Sequence, residues 1–388
     1  MIDHSLMLSE TLKDIKPSGI RKFFDLLADM GDVTALTVGQ PDFVTPWHIR
    51  EAAIVSLERG QTYYTSNSGL PELRLEVTRY MKRRFDLNYD PTEVLITVGG
   101  SEAIDVAVRS LINPGDEVIV PMPSFVCYEP IVRMAGGVPV IINTKEENGF
   151  KLTPDELRSA ITEKTKMLVL PYPNNPTGAI LDREELRALA DVLRETNIAI
   201  LSDEIYAELT YGKRHVSIAS IDGMMERTII ASGFSKAYAM TGWRLGYLCG
   251  PKTWLTQMTK LHQYAIMCAP TVSQFAAVEA LKNGDDDIAE MAAEYNRRRV
   301  FICEGLRKIG IPTIMPEGAF YIYPYIGGYG LTSEEFCERL LMEEKCAIVP
   351  GTAFGECGEG YARISYAYSV KHIAEALEKI ERFVNKLK

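Results

Sequence analysis

Between residue 94 and about residue 250, short apolar runs alternate with amphipathic stretches, and this order constrains the fold more than any other feature. VLITVGG, EVIVPMP, VPVIINT, KMLVLPYP, IAILSDE and TIIASGFSK read as strands. SEAIDVAVRSLI, SFVCYEPIVRMAG, TPDELRSAIT and REELRALADVLRET, lying between them, have the apolar spacing of helices. A strand that is apolar on both faces must be covered on both faces, as in a parallel sheet. Repeated strand–helix–strand order therefore predicts an α/β fold, a mainly parallel sheet with helices on both sides. WRLGYLCG reads as one more strand, antiparallel to its neighbours. A long helix from DDDIAEM, an aromatic strand GAFYIYPYI, a helix LTSEEFCERLLMEEK, a strand YARISYAYS and a closing helix predict a smaller α+β unit. The expected division is a large domain over 46–290 and a small domain from 1–45 and 291–388. A helix is also expected over SGIRKFFDLLADM.

Charge and cysteine usage narrow the function classes. The net charge of −10, with no lysine/arginine tract, argues against nucleic acid or a membrane surface as partner. No apolar run reaches the roughly 18 residues of a membrane span, and MIDHSLMLSE lacks the form of a signal peptide. Seven scattered cysteines without a CxxC pair predict reduced thiols and a cytoplasmic protein. With five histidines and no ligand spacing, no metal site is expected.

Several positions suggest chemistry by themselves. A strand, two glycines and a helix start (Gly99, Gly100, Ser101, Glu102) make an anion cradle, because free N–H groups and the helix dipole favour negative charge there. Asp203 closes a wholly apolar strand, where a carboxylate is costly unless paired. Glu204 should point the other way. Asn175, held among Pro173, Pro176 and Gly178, sits at a strand's C-terminal end, where open α/β sheets bind ligands. Lys236 lies among small residues, eight before Arg244, whose fork suits a phosphate. Gly39 lies in a GQPDF turn, Tyr64 in a polar loop, and Arg363 among apolar neighbours on a strand.

These segments, above all SGFSKAYAMTGWRLGY, the Y-x-x-x-x-G-x-P-E-L-R run at Tyr64, YPNNPTG and ARISYAYS, resemble class I pyridoxal-phosphate (PLP) aminotransferases of fold type I. The likeness is to the aspartate-aminotransferase-like subgroup, most like bacterial N-acetyl-diaminopimelate, aspartate and aromatic aminotransferases. The resemblance implies a large domain with a seven-stranded sheet and a small α+β domain. It implies that Lys236 carries PLP as a Schiff base and shuttles a proton, with Asp203 on the pyridine nitrogen. Tyr206 and Asn175 would donate to the phenolic oxygen, and Phe125 would stack on the ring. Gly100, Ser101, Glu102, Ser235 and Arg244 would hold the phosphate, joined by Tyr64 from a neighbouring subunit, which implies a homodimer with shared active sites. Gly39, Phe125, Asn175 and Arg363 would bind substrate, Arg363 taking the α-carboxylate. Ser232 or Ser235 would replace a serine that the family often has at the position of Gly233.

The implied reaction is ping-pong transamination between an amino acid and a 2-oxo acid, with glutamate and 2-oxoglutarate as the expected couple. In the subgroup a lysine often follows the Gly-Gly turn; Ser101 stands there, which argues against strict aspartate preference. Ile20 and Arg21 are expected near the side-chain pocket. C–S β-lyases share the scaffold and the same lysine, aspartate and arginine, so the motifs leave that alternative open. A PLP-binding regulator would need an added DNA-binding domain, for which the arm leaves no room.

Overall fold

A two-residue strand, β1 (Thr34–Ala35), precedes the strands of the central sheet: β2 (Val94–Thr97), β3 (Glu117–Met122), β4 (Val138–Asn143), β5 (Thr165–Leu170), β6 (Ala199–Asp203), β7 (Thr228–Gly233) and β8 (Gly246–Cys249). These seven lie in the order β2-β8-β7-β6-β5-β3-β4. Only β8 runs antiparallel to its neighbours; the other pairs are parallel. The computed structural model describes residues 2–13, 15–17, 19 and 31–388. Of the helix expected over 18–30 only residue 19 is described, and Ile20 and Arg21 lie outside the described residues.

The apolar runs explain the layers. Every residue of β6 and β7 is buried, and each large apolar side chain so removed from water contributes roughly 1.5–3 kcal/mol. Leu186, Leu189, Ala190 and Leu193 of the Arg183–Leu193 helix pack on one face of the sheet with Leu168 and Ile200. Ala103, Val106 and Ala107 of the Gly99–Leu111 helix pack on the other with Val120, Leu201 and Ile229. Start signals hold the helices in place: Thr153 and Asp182 each close a capping box, with Glu156 and Glu185.

The C-terminal part forms β9 (Tyr321–Ile322), β10 (Cys346–Ala347), β11 (Val349–Pro350) and β12 (Ala362–Ser365). The order β11-β12-β9 is antiparallel, and β1 pairs in parallel with β10. The helices Asp285–Ile309, Ser333–Glu344 and Val370–Leu387 cover them. Leu36 shares the resulting apolar core with Leu306, Phe336, Ile364 and Phe383.

Two elements are shorter than the sequence suggests. The helix expected from Ser124 begins at Tyr128, because the Ser124 N–H donates to Phe354 O in the other part of the chain, 3.2 Å away. GAFYIYPYI pairs as a strand only over Tyr321–Ile322. Pro324 follows, without an N–H for a ladder.

Candidate active site

One edge of the sheet collects the chemistry. The C-terminal ends of β3, β5, β6 and β7 lie there, and so does the start of β8, because β8 runs the other way. Asp203 closes β6 in register with Ala231 of β7, which places Lys236 just beyond the neighbouring strand. Arg244 precedes β8 on the same edge. β2 turns through Val98 into the Gly99–Leu111 helix, so the free N–H groups of that helix face the same space. Gly99 has φ +77°, and a Cβ there would stand 2.6 Å from Nη2 of Arg244. Glycine therefore lets the guanidinium settle against the helix N-terminus, two cationic features side by side.

The loop from Lys236 to Arg244 is held in an uncommon shape. Ala239 and Arg244 have φ +51° and +50°, conformations that persist only where surroundings fix them. Thr45 does this: its Oγ1 donates to Ala239 O at 2.7 Å and accepts from Trp243 Nε1 at 3.1 Å.

A cavity of about 380 Å³ opens at this edge. Gly39, Gly100, Ser101, Phe125, Asn175, Asp203, Tyr206, Ser235, Lys236, Arg244 and Arg363 line it, which brings together eleven of the thirteen residues singled out in the sequence. Lys236 Nζ donates to Gly39 O at 2.7 Å. Its pKa falls to about 8, first through burial and then through the positive charges of Arg363 and Arg244, against the opposing pull of Asp203. Asp203 is buried and its pKa is raised, burial being the largest cause. Hydrogen bonds oppose that rise: Tyr128 Oη donates to Oδ2 at 2.7 Å and Ile205 N to Oδ1 at 3.1 Å.

Arg363, on β12, is 2% exposed and has no carboxylate partner among the described residues. Nη1 donates to Asn175 Oδ1 at 3.0 Å and Nη2 to Thr37 O at 2.6 Å. Its Nε and the Thr37 hydroxyl are buried without a hydrogen-bond partner among the described residues. An orphaned donor on a buried cation is the arrangement an anionic ligand completes. Asn175 accepts at Oδ1, which leaves its Nδ2 donors for a ligand. Phe125 packs edge-on to Tyr128, centroids 6.2 Å apart.

Glu102 and Tyr64 are the two that do not line this cavity; Glu102 is expected there through the free N–H groups of the helix start, and Tyr64 in a neighbouring subunit's site. The Glu102 side chain does not join the anion cradle. It folds back to accept from the Val98 N–H and meets His262 Nδ1 at 2.6 Å. A carboxylate beside an anion site would repel the anion; here it ties the Gly99–Leu111 helix to the Lys252–Ala265 helix instead. Tyr64 is 79% exposed and stands outside its own chain's cavity. Glu204 points away from the site, as the strand geometry implies, and accepts from Ser202 and Ser217. Ser232 donates to Glu204 O, so of Ser232 and Ser235 it is Ser235 that lines the cavity.

Sequence reading missed Thr37, Tyr128 and Tyr321. Tyr128 had a usable signal, lying three residues after Phe125. Tyr321 was one of several aromatics in GAFYIYPYI, and only the packing singles it out.

The donor set fits PLP. The cavity offers an amine of lowered basicity, a buried carboxylate in need of a cationic partner, a cradle of helix N–H groups beside an arginine, and a second arginine without an anion. Among the described residues no group of three His, Cys, Asp or Glu side chains is arranged for a metal. No described helix is long and apolar enough to cross a membrane.

A family model described as "Aminotransferase class I and II" matches residues 31–380. A Bacillus subtilis protein named "Probable N-acetyl-LL-diaminopimelate aminotransferase" is 46% identical over 381 residues, covering 98% of this chain and 96% of its own. The aspartate aminotransferase of Pyrococcus abyssi is 44% identical, covering 99% of this chain and 100% of its own. The crystal structure of an aromatic aminotransferase from Pyrococcus horikoshii superposes with a TM-score of 0.90 at 44% identity, covering 94% of this chain and 100% of its own.

Proposed function

The chain belongs to the class I and II aminotransferases, PLP-dependent transferases, and from that premise we propose that it moves an amino group between an L-amino acid and a 2-oxo acid in two alternating half-reactions, with glutamate and 2-oxoglutarate as one couple. When bound, PLP supplies an aldehyde for an amine and a pyridine ring that accepts electrons. Lys236 would take the covalent attachment and would carry a proton to and from the substrate Cα. An amine with a pKa near 8 both accepts and returns a proton near neutral pH. Asp203 holds the proton on the pyridine nitrogen. Tyr206 and Asn175 Nδ2 would donate to the phenolic oxygen, and Phe125 would face the ring. Gly100, Ser101, Ser235 and Arg244 hold the phosphate. Arg363, with Asn175 and Gly39, receives the substrate carboxylate.

One observation carries this reading. A lysine, a buried carboxylate and a buried guanidinium share one cavity, and none of the three has an ionic partner among the described residues. Together they match an amino acid and an aromatic cofactor cation better than they match one another. The relatives' donors, N-acetyl-LL-diaminopimelate, aspartate and an aromatic amino acid, are the donor classes proposed here. Among the described residues the cations lining the cavity are Lys236, Arg244 and Arg363, and each already has a role. With Ser101 in place of a lysine, this supports a donor range that is not restricted to aspartate.

Two further assignments belong to the proposal. The domain division at 45/46 and 290/291 is proposed from the apolar core that Leu36 shares with residues 291–384, a core that Tyr206, Leu209, Tyr211 and Ala239 of the central part also enter. The seven free cysteines support a cytoplasmic setting.

The test is spectroscopic. Loaded protein should absorb in the near-visible, borohydride should fix the cofactor to position 236, and Lys236→Ala should lose that band with its fold intact. The rates at which phenylalanine, N-acetyl-diaminopimelate and aspartate discharge the band rank the three donor classes, and discharge by aspartate alone would overturn the broader range. Pyruvate release from cystathionine without a 2-oxo acid would replace transamination with β-elimination.

A further inference from the structure

Tyr321 sits where three parts of the cavity meet, and the assignments above give it no task. It belongs to β9 and is 1% exposed. Its hydroxyl lies 2.8 Å from the Tyr206 hydroxyl. The Arg363 guanidinium carbon stands 4.5 Å from its ring centroid. The same hydroxyl occupies the space in front of Gly39, where a Cβ would fall 2.3 Å from it. We propose that Tyr321 is a positioning residue that sets two groups at once: its hydroxyl directs the Tyr206 hydroxyl to the cofactor's phenolic oxygen, and its ring carries the Arg363 guanidinium that takes the substrate carboxylate. The inference rests on the roles assigned to Tyr206 and Arg363 above.

The hydroxyl half follows from counting protons. Tyr206 has one hydroxyl proton. Once that proton goes to the phenolic oxygen, Tyr206 meets Tyr321 only as an acceptor, so Tyr321 is the donor. A phenol that accepts a hydrogen bond is itself a stronger donor. The two rings stand edge to face at 80°, centroids 5.8 Å apart, and Phe320 packs edge-on against Tyr206 at 5.4 Å. Tyr206 therefore has little freedom to turn toward a different partner.

The ring half follows from the surroundings of Arg363. Its guanidinium lies over two aromatic rings, Tyr321 at 4.5 Å and Phe354 at 4.7 Å. With no carboxylate in contact among the described residues, ring faces and hydrogen bonds are what hold the buried cation. A planar group held by its faces leaves its edge to hydrogen bonds: Nη1 and Nη2 meet Asn175 and Thr37, and Nε remains unpartnered among the described residues.

Three variants of the loaded enzyme separate the halves. The readouts are the pH midpoint of the cofactor's visible absorbance and the split between KM and kcat. Tyr206→Phe should raise the midpoint and fixes the size of that effect. Tyr321→Phe keeps the ring and removes the hydroxyl; its midpoint should rise the same way by about half a pH unit, with amino-acid KM within about twofold. Tyr321→Leu removes both and should add a rise in KM of about tenfold. A Tyr321→Phe midpoint equal to wild type, while Tyr206→Phe moves it, would overturn the hydroxyl half. A Tyr321→Leu protein with wild-type KM would overturn the ring half. If Tyr206→Phe itself leaves the midpoint in place, the earlier role of Tyr206 fails and the hydroxyl half falls with it. Tyr321→Phe removes the hydroxyl alone and keeps the ring, so the hydroxyl half is decided even where the leucine variant folds poorly.

Discussion

At position 236 a lysine is held where its own charge is disfavoured, and that cost can be measured. Its pKa falls to about 8 from an ordinary 10.5, with burial the first cause and Arg363 and Arg244 the next. The sign follows from proton counts. Between pH 8 and 10.5 the unfolded chain binds more protons than the folded one, so this group makes stability rise with pH there. Below about pH 8 its full penalty is present. Apo Lys236→Met should therefore be more stable than apo wild type at pH 7, by on the order of 1–3 kcal/mol. The lower end reflects an amine that still opens onto the cavity. The gap should close by about pH 10.5, as read by urea unfolding across that range. Asp203 completes the local logic: its raised pKa marks a carboxylate without its cation.

The Gly99–Leu111 helix is the element that turns fold into site. It starts where β2 ends, so its free N–H groups face the same edge as Asp203 and Lys236. The Glu102 side chain fixes this helix start by accepting from the Val98 N–H and meeting His262, and its backbone stays in the first turn of the helix. Gly99 carries the tightest requirement, a positive φ together with the guanidinium of Arg244 where a side chain would be. Gly99→Ala should destabilise the protein by about 1–3 kcal/mol. It should also weaken PLP binding roughly tenfold, because the arginine must retreat from the cradle. Thermal unfolding and cofactor titration read these two effects separately.

At the scale of the molecule, the site is assembled from two parts of the chain and, as we propose, from two chains. Thr37 and Arg363 come from the part built on β1 and β12, while Asp203 and Lys236 come from the central sheet. Tyr64 stands outward, with Thr271 holding the neighbouring Tyr63 carbonyl and Asn67 bonded to Met267 O. Its exposure supports a role in a partner's cavity. Mixing equal amounts of Tyr64→Phe and Lys236→Ala protein should recover about a quarter of wild-type activity, from pairs with one intact site. No recovery after subunit exchange would place Tyr64 outside a shared site. The sequence by itself determined the alternation of strands and helices, the parallel sheet with one antiparallel member, and nearly all the residues at its edge. The alternation follows from local periodicity. Asp203 and the Gly99–Gly100 pair follow from residue types whose chemistry is narrow, a carboxylate ending an apolar strand and a glycine pair before a helix. Phe125, Tyr206, Ser235 and Arg363 follow from the resemblance to the family. Only the tertiary structure decided that Glu102 turns inward and that Tyr128 supports Asp203. It also selected Tyr321, among several aromatics, as the one between Tyr206 and Arg363. The reason is physical: where a side chain points depends on partners far away in the chain, and neither spacing nor composition records them.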